Sequence, residues 1–400
     1  MKRILTIAPQ PYFASRGTPI SVYYRTLVMA EQGATIDLLT YGSGRDVAIP
    51  GVNHLRIRRI KALEPIPVGP SLRKLVLDVL MLFRTIRLLV RGRYEVVHAH
   101  EEAVFWCALL KPLFGFQLVY DMHSSLPQQL QNTGYTRSPT LIGLFRFFEK
   151  HSVRAADAVV TVCPDLMNYA RGLRPGENVL LIENSLFEDV HFTSSEELRT
   201  QQEQIPEVRF GPEHSVVLYA GTLELYQGLE LLVDAFRHVV ERVPNARLLI
   251  VGGQETQVAT IAERAARLGL SDVCQLIGHV AKPNVARYIQ VARVLVSPRV
   301  KGTNTPLKIY EQLASGRPLV ATRIWSHTQV LDDSVCRLVD PDPESLASGI
   351  VEVLTRDDRA AEWARNAAEL YSTRYSRRVY EGKIQSLMRT IAAPEVCLNE

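Results

Sequence analysis

Short apolar runs alternate with segments of helical periodicity along most of this 400-residue chain. In the first half, runs at 4–8 and 35–40 flank a helical pattern at about 20–32. Further runs lie at 95–102, 118–123, 157–163 and 179–182. The second half repeats the alternation, with runs at 215–220, 247–251, 273–277, 294–296 and 318–321. This order predicts an α/β fold with two doubly wound, Rossmann-like domains, each a parallel sheet covered by helices on both faces.

A polar stretch rich in Glu and Gln separates the two blocks and indicates a linker. We predict an N-terminal domain at 1–190, a linker at 191–212 and a C-terminal domain at 213–400. The tail from about 344 is helical, and its last helix could cross back to the first domain. A chain of this length fits two domains better than one.

The composition is that of an ordinary globular protein, 46% apolar and 22% charged. Five widely spaced cysteines form no C-x-x-C pair, which argues against a disulfide framework or a zinc site and fits a reducing, cytoplasmic setting. The first apolar run breaks at Pro9 and is better explained as a buried strand than as a signal peptide. No stretch reaches about 18 uncharged apolar residues, so no transmembrane helix is predicted.

Positive charge is concentrated in the first half, with a net +6 at 1–190 against −2 for the remainder. Much of it lies at 71–93, where apolar residues recur at helical spacing and basic residues fill the polar positions. The pattern predicts an amphipathic helix, which either simply covers a sheet or also contacts an anionic membrane surface. Because the basic residues do not alternate with stacking aromatics, a nucleic-acid partner is rejected.

Three histidines, His98, His100 and His123, lie near the carboxyl ends of predicted strands, where open α/β sheets bind ligands. His98 and His100 point to one face, as a zinc site would need, but no Asp or Cys cluster completes the set, so we predict no metal. His123, just past a strand, is the better candidate for contacting substrate oxygens or a phosphate. Its alternative is a locally hydrogen-bonded histidine at the strand end.

The stretch 297–322 carries the most specific local signal. An apolar run ends in a turn, a helix opens near Pro306 and closes at Gly316, and a second apolar run follows. Proline suits the first turn of a helix and glycine the left-handed position just past its end. Free backbone N–H groups at this helix N-terminus favour an anion such as a phosphate. In the first half, Gly17 lies in the corresponding loop and permits close backbone approach.

With both halves laid out, the chain resembles the family 4 (group 1) nucleotide-sugar-dependent glycosyltransferases of the GT-B fold. The resemblance covers nearly the whole chain and is strongest at 220–236 (AGTLELYQGLELLVDAF), 248–253 (LLIVGG), 277–280 (IGHV) and 306–320 (PLKIYEQLASGRPLV). It implies two Rossmann-like domains facing across a cleft, with a donor nucleotide in the second domain and an acceptor against the first. It also implies a retaining, metal-independent transfer without a cofactor.

The resemblance assigns roles residue by residue. Glu311 matches the glutamate that contacts the donor ribose, and His123 a histidine that contacts the donor sugar. Gly278 and His279 match the loop that holds the nucleotide base, while Gly17 matches the loop facing the donor phosphates and acceptor. Gly221 and Gly252 would let backbone approach the donor or serve packing alone. The remaining predicted donor-binding residues are Thr222, Arg299, Thr303, Asn304, Thr305, Pro306, Leu307 and Lys308.

Three positions depart from the family pattern. Thr303 stands where a glutamate usually touches the donor hexose, and Thr222 and Gln227 replace an Arg and a Lys that hold the diphosphate. Lys308 and Arg299, with the N–H groups of the helix start, are the available replacements, and Lys308 joins His123 and Glu311 as a predicted catalytic residue.

The predicted function is transfer of a sugar from a nucleotide-diphosphate sugar to a hydroxyl of a glycan or lipid-linked acceptor in cell-envelope biosynthesis. The protein would be cytoplasmic or peripheral on the inner face of the membrane. Two alternatives are a non-catalytic nucleotide-sugar-binding subunit, suggested by the missing charges, and an epimerase using Glu101, Glu102 and Asp121.

Overall fold

A computed structural model describes residues 2–13, 17–66, 71–132, 138–176, 178–184, 205 and 207–391. The chain divides into two compact units, one formed by 1–184 with 378–400 and the other by 185–377. Most of the predicted linker, 191–204 and 206, lies outside the described residues, and the predicted domain limits stay predictions. The described part of the last helix groups with the first unit.

The first unit is built on a seven-stranded sheet with the order β3-β2-β1-β4-β5-β6-β7. All its pairings are parallel. The strands are β1 (Arg3–Ala8), β2 (Thr35–Thr40), β3 (Val52–Arg56), β4 (Val96–His100), β5 (Gln117–Met122), β6 (Ala158–Thr161) and β7 (Val179–Leu181). The helices are α1 (Gly17–Glu31), α2 (Leu72–Arg91), α3 (Ala103–Phe114), α4 (Leu126–Asn132), α5 (Pro139–Ala155) and α6 (Pro164–Leu173).

The second unit repeats this plan with a six-stranded parallel sheet of order β10-β9-β8-β11-β12-β13. Its strands are β8 (Ser215–Ala220), β9 (Ala246–Val251), β10 (Cys274–Ile277), β11 (Val294–Ser297), β12 (Leu319–Thr322) and β13 (Arg337–Val339). Its helices are α7 (Leu229–Arg242), α8 (Glu255–Arg267), α9 (Lys282–Val291), α10 (Leu307–Ala314), α11 (Trp325–Thr328), α12 (Pro343–Thr355) and α13 (Asp357–Arg374). The last helix, α14 (Arg377–Thr390), belongs almost entirely to the first unit.

Each sheet is a buried layer, which explains the continuous apolar runs of the sequence. The central strands are buried along nearly their whole length, since helices cover both faces. The prediction of two doubly wound parallel sheets is therefore confirmed.

Both sheets reverse their strand order next to the first strand of the unit, between β1 and β4 and between β8 and β11. Ligands of open α/β sheets bind at the carboxyl ends of the strands at such a switch point.

Helix α2 follows the amphipathic pattern closely, and the side chain of Ser71 caps its N-terminus by accepting from the Lys74 N–H. One stripe is buried in the unit, formed by Leu77, Met81, Thr85 and Leu89. A second set of apolar side chains faces solvent, so the apolar surface of α2 is wider than its sheet uses. Leu72 is 75% exposed and Phe83 65% exposed. Among the described residues, no helix combines the length and apolar character needed to cross a membrane.

Candidate active site

The predicted phosphate-binding turn lies at the switch point of the second unit. Strand β11 ends at Ser297, and α10 starts at Leu307 with Pro306 in an extended conformation as its N-cap. Gly316 follows the helix with φ 66°, the left-handed conformation predicted for it. Below the turn, the buried imidazole of His327 lies 3.0 Å from the Ser297 hydroxyl and 2.8 Å from the Thr322 carbonyl oxygen. Burial lowers the pKa of His327 to about 3, so this support is neutral.

Lys308 lies in the first turn of α10 and reaches back to the elements that follow β8. Its Nζ donates to Gln227 Oε1 at 3.0 Å and lies 4.2 Å from the centre of the Tyr219 ring. Gln227 therefore orients Lys308, a lysine from another helix. By the family resemblance, Gln227 itself occupies a position where a lysine is usual. Burial, and then the charge of Arg299, lower the pKa of Lys308 to about 7.

Arg299 contacts both the predicted site and the loop that carries it. The guanidinium lies 5.1 Å from the centre of the Tyr226 ring, donates from Nε to the Lys301 carbonyl at 2.7 Å and from an Nη to that of Asn304 at 3.3 Å. Gly302 (φ 141°) leaves room for it, because a Cβ there would meet the guanidinium at 2.1 Å. Arg299 thus holds the 299–304 loop in place as well as adding positive charge beside Lys308.

These two cations have aromatic and amide neighbours where buried cations usually have carboxylates. Among the described residues, no Asp or Glu oxygen lies within ion-pair distance of either Lys308 or Arg299. Uncompensated positive charge at a half-buried position is costly unless an anion completes it. Together with the N–H groups of the α10 start, the arrangement is suited to a diphosphate.

Glycines bring the backbone close together at the same end of this sheet. A Cβ on Gly252 would lie 2.0 Å from the Gly221 carbonyl oxygen, and both residues have positive φ values, 120° and 155°. The Gly252 N–H donates to the Ile277 carbonyl at 2.8 Å and to that of Gly278 at 3.1 Å. At the next turn, a Cβ on Gly228 would lie 2.0 Å from the Pro298 carbonyl oxygen. Gly221 and Gly252 are therefore required for close packing of the backbone, independently of any contact with a donor.

The other predicted donor-binding residues surround this turn. Thr222 and His279 are exposed, while Glu311 lies on α10 one turn after Lys308 and is half-buried. Gln329 donates to the Thr303 carbonyl at 2.5 Å and so fixes the loop before the helix. The half-buried residues of that loop and helix start are Thr303, Asn304, Thr305, Pro306 and Leu307. The structure thus gathers the predicted residues of the second unit at one end of its sheet.

The histidines of the first unit form a buried polar cluster around Asp121, at the end of β4 and β5. His98 Nε2 lies 3.0 Å and His123 Nε2 3.3 Å from the Asp121 carboxylate, and His100 Nδ1 lies 3.0 Å from His123 Nε2. Arg25 from α1 completes the cluster, with its Nε 3.1 Å from Asp121 Oδ2. Burial would raise the pKa of Asp121, but Arg25 and the histidines outweigh it and hold that pKa well below its usual range. Burial also lowers the pKa of His123, to about 4.

The prediction that no Asp or Cys accompanies His98 and His100 was wrong, because Asp121 from the adjacent strand lies beside both. His98, His100 and Asp121 each present one ligand atom, all within 4.8 Å of one another. The expected register of β4 beside β5 could have suggested it, since His100 pairs with Asp121. However, the Asp121 charge is already balanced by Arg25, whose own charge would repel a metal cation. The cluster is better described as a buried polar network that fixes the orientation of its histidines, with His123 4% exposed.

Gly17 begins α1 and is exposed at the switch point of the first unit. It lines a cavity of about 610 Å³, together with residues that follow β1 and β4 and with apolar residues of α2 and α5. This volume is typical of a small-molecule site. Sequence reasoning did not identify the cavity or the aromatic supports Tyr219 and Tyr226, because each depends on side chains brought together by the fold.

Comparison with known proteins gives the same result for both units. Residues 214–356 match the family described as glycosyl transferases group 1, and residues 25–185 match the glycosyl transferase 4-like domain. Together the two matches span most of the chain.

Full-length relatives agree with these matches. Phosphatidyl-myo-inositol mannosyltransferase of Mycobacterium leprae is 27% identical, over 98% of this chain and 97% of that protein. Alpha-D-kanosaminyltransferase of Streptomyces kanamyceticus is 24% identical, over 74% and 77%. Among solved structures, sucrose-phosphate synthase from Thermosynechococcus elongatus superimposes with a TM-score of 0.76 at 21% identity, over 98% and 99% of the two chains. Anabaena HepE, solved with UDP and glucose, gives a TM-score of 0.71 at 17% identity, over 98% and 100%.

The fold is therefore that of the GT-B glycosyltransferases, as predicted. The chain belongs to the group 1, or family 4, glycosyltransferases, and it is a nucleotide-sugar-dependent glycosyltransferase.

Proposed function

We propose that the protein is a retaining glycosyltransferase that binds the diphosphate of its nucleotide-sugar donor at the start of α10. The observation that carries the proposal is the pair of cations, Lys308 and Arg299, that have aromatic and amide neighbours in place of carboxylates. A diphosphate would supply the missing negative charge. The solved neighbour HepE, which was crystallised with UDP, supports this class of donor.

Each residue would have a separate task in the transfer. Lys308 and the N–H groups of the α10 start would stabilise the charge that develops on the leaving diphosphate. Glu311 would accept hydrogen bonds from the donor ribose, and Arg299 would hold the loop while adding positive charge. In the first unit, His123 would contact the donor sugar and the Gly17 loop the acceptor. The donor phosphate itself would take the proton of the acceptor hydroxyl, so neither a metal nor a protein nucleophile is required.

The acceptor is proposed to be a lipid-linked glycan or glycolipid at an anionic membrane surface. The support is the exposed apolar set on α2, including Leu72, Val76 and Phe83, on a helix that also carries arginines. The Mycobacterium leprae relative, named for a phosphatidyl-inositol substrate, is consistent with a lipid acceptor. Flotation with anionic vesicles at low salt tests the surface: we expect binding that Phe83→Gln weakens, and an absence of binding would overturn this part.

The donor site is tested by incubating the purified protein with a panel of nucleotide sugars. We expect one or more donors to release nucleotide diphosphate, and faster release when an acceptor is present. Glu311→Gln should weaken nucleotide binding about tenfold or more, because charge-assisted hydrogen bonds contribute about 1.5–3 kcal/mol. The matched control is Glu344→Gln, in the first turn of α12. Tight nucleotide binding without turnover on any acceptor would instead indicate the non-catalytic subunit.

A further inference from the structure

The cavity of the first unit has two chemically different parts. One part is polar and is lined by Lys74 and Asp78 on α2 and by Glu101 and Glu102 directly after β4. The other part is apolar and is formed largely by α2 and α5. The apolar residues of these two helices that line it are Leu72, Leu75, Val79, Leu82, Leu141 and Phe145.

The polar part contains one amino group and three carboxyl groups. Lys74 is ion-paired with Glu102, Tyr41 donates to Asp78, and Ser124 donates to Glu101 at 3.0 Å. Burial and the neighbouring Glu102 raise the pKa values of both Asp78 and Glu101 to about 7. With one ammonium facing three carboxyl groups, this surface disfavours a phosphate and suits hydroxyl groups, which can both donate and accept.

The backbone at Glu101 adds independent support. Glu101 has φ 50°, a left-handed conformation that a non-glycine residue seldom adopts. Such conformations cluster at functional sites, where the surrounding structure fixes a side chain in an otherwise unfavourable position. Here the conformation occurs directly after β4, at the switch point where the fold binds ligands.

The apolar part continues to the surface without a polar boundary. Leu75 and Val79 line the cavity and are 59% and 45% exposed. A ligand that satisfies both parts must therefore be an amphiphile, with an apolar chain that leaves the cavity along α2.

We propose that this cavity binds the acceptor as an amphiphile, its alkyl chain between α2 and α5 and an uncharged, hydroxyl-bearing group against Asp78 and Glu101. The proposal rests on the proposed function, since it assigns the cavity to the acceptor of that transfer. It goes further in two respects, because it gives the lipid chain a site inside the protein and excludes a phosphate from the polar end.

The test uses the full chain and monomeric n-alkyl β-D-glucosides, from hexyl to decyl, with decyl phosphate as the charged counterpart. Affinity measured by calorimetry should rise about fourfold per added methylene, the value expected for a buried CH₂. Decyl glucoside should bind at least tenfold more tightly than decyl phosphate. The double variant Asp78→Asn, Glu101→Gln should remove most of that preference.

A matched pair of variants on α2 separates the cavity from general surface hydrophobicity. Val79→Gln, in the cavity wall, should weaken decyl glucoside binding about tenfold. Val90→Gln changes the same residue type on the same helix, where the side chain is 70% exposed and outside the cavity, and should leave the affinity unchanged. Equal effects of the two variants, an affinity independent of chain length, or tighter binding of decyl phosphate would each overturn the proposal.

Transfer assays keep this proposal distinct from the proposed function. Sugar transfer to glucosides with no dependence on chain length would overturn the cavity assignment and leave the enzymatic function intact. Chain-length-dependent binding without transfer from any nucleotide sugar would support the cavity and count against the function.

Discussion

The carboxyl ends of the two sheets share one topology and differ in how their charges are balanced. In the first unit, buried charges have partners: Arg25 lies against Asp121 and Lys74 against Glu102. In the second unit, Lys308 and Arg299 lie against Tyr219, Tyr226 and Gln227. A balanced cluster maintains the fold without a ligand, whereas an unbalanced one is completed by the ligand. The charges at the first end therefore suit a neutral group, whereas those at the second end suit an anion.

The largest effect is expected where the balance of the first unit is broken. Arg25→Met leaves the Asp121 carboxylate buried without its ion-pair partner, which should lower the free energy of unfolding by about 3–5 kcal/mol. Chemical denaturation of the full chain measures this change. The double variant Arg25→Met, Asp121→Asn removes both charges and should recover part of the loss.

A partly exposed pair in the second unit provides the control for this measurement. Arg264 pairs with Asp234 at a position where both side chains are about one-third exposed. Arg264→Met should cost about 1 kcal/mol or less. If Arg25→Met were no more destabilising than Arg264→Met, the cluster around Asp121 would not be the balanced core of the first unit.

The turn of the second unit and the alternating fold could be predicted from the sequence, because each depends on local patterns. The strand, turn and helix around Lys308 and Glu311 lie within a single stretch, and Pro306 and Gly316 mark its ends. The alternating fold was also predictable, since buried parallel strands are continuous apolar runs. Sequence reasoning assigned no strand at Val52–Arg56 or Arg337–Val339, which are short and in part polar. It also assigned no helix at Pro139–Ala155.

The partners of the buried charges and the cavity of the first unit could not be predicted, because they depend on contacts between distant parts of the chain. Arg25 and Asp121 are on different elements, α1 and β5, and no spacing rule links them. Lys308 and Gln227 are separated by 81 residues, so the aromatic and amide surroundings of the cation could not be deduced from the turn alone. The same holds for the cavity of the first unit, which requires α2, α3 and α5 to be placed around the ends of β1 and β4.

The next largest effect is expected at the carboxyl end of the second sheet, where the positive charges have no carboxylate partner. Lys308→Met should weaken nucleotide-diphosphate binding about tenfold to a hundredfold, because it removes a charge-assisted contact. The same change should raise the melting temperature at pH 6–7, by about 2–4 °C for each kcal/mol gained. The reason is that folding lowers the pKa of Lys308 from 10.5 to about 7. The cost of burying its charge is therefore complete below pH 7 and declines as the pH rises toward 10.5.

Calorimetry and thermal unfolding of the same Lys308→Met preparation test the expected loss of affinity and the expected gain in melting temperature. A variant with weaker binding and lower stability would mean that Lys308 supports the fold, and the site would then not be completed by the ligand. Wild-type affinity would overturn the diphosphate role of Lys308.

The smallest effect is a pH dependence of donor affinity. Lys308, with a pKa of about 7, loses its positive charge as the pH rises from 7 to 9, so a nucleotide sugar should bind up to about tenfold more weakly at pH 9. The doubly esterified diphosphate does not titrate in this range, and the neighbouring His327 stays neutral because its pKa is about 3. Binding at pH 8 should also take up a proton, because the bound diphosphate raises the pKa of Lys308.

Lys308→Arg, which keeps its charge throughout, should give a flat profile of donor affinity against pH, whereas His279→Gln should retain the slope. A slope that persists in Lys308→Arg would assign the titration to another group, and the unbalanced charge at α10 would then not set the donor affinity.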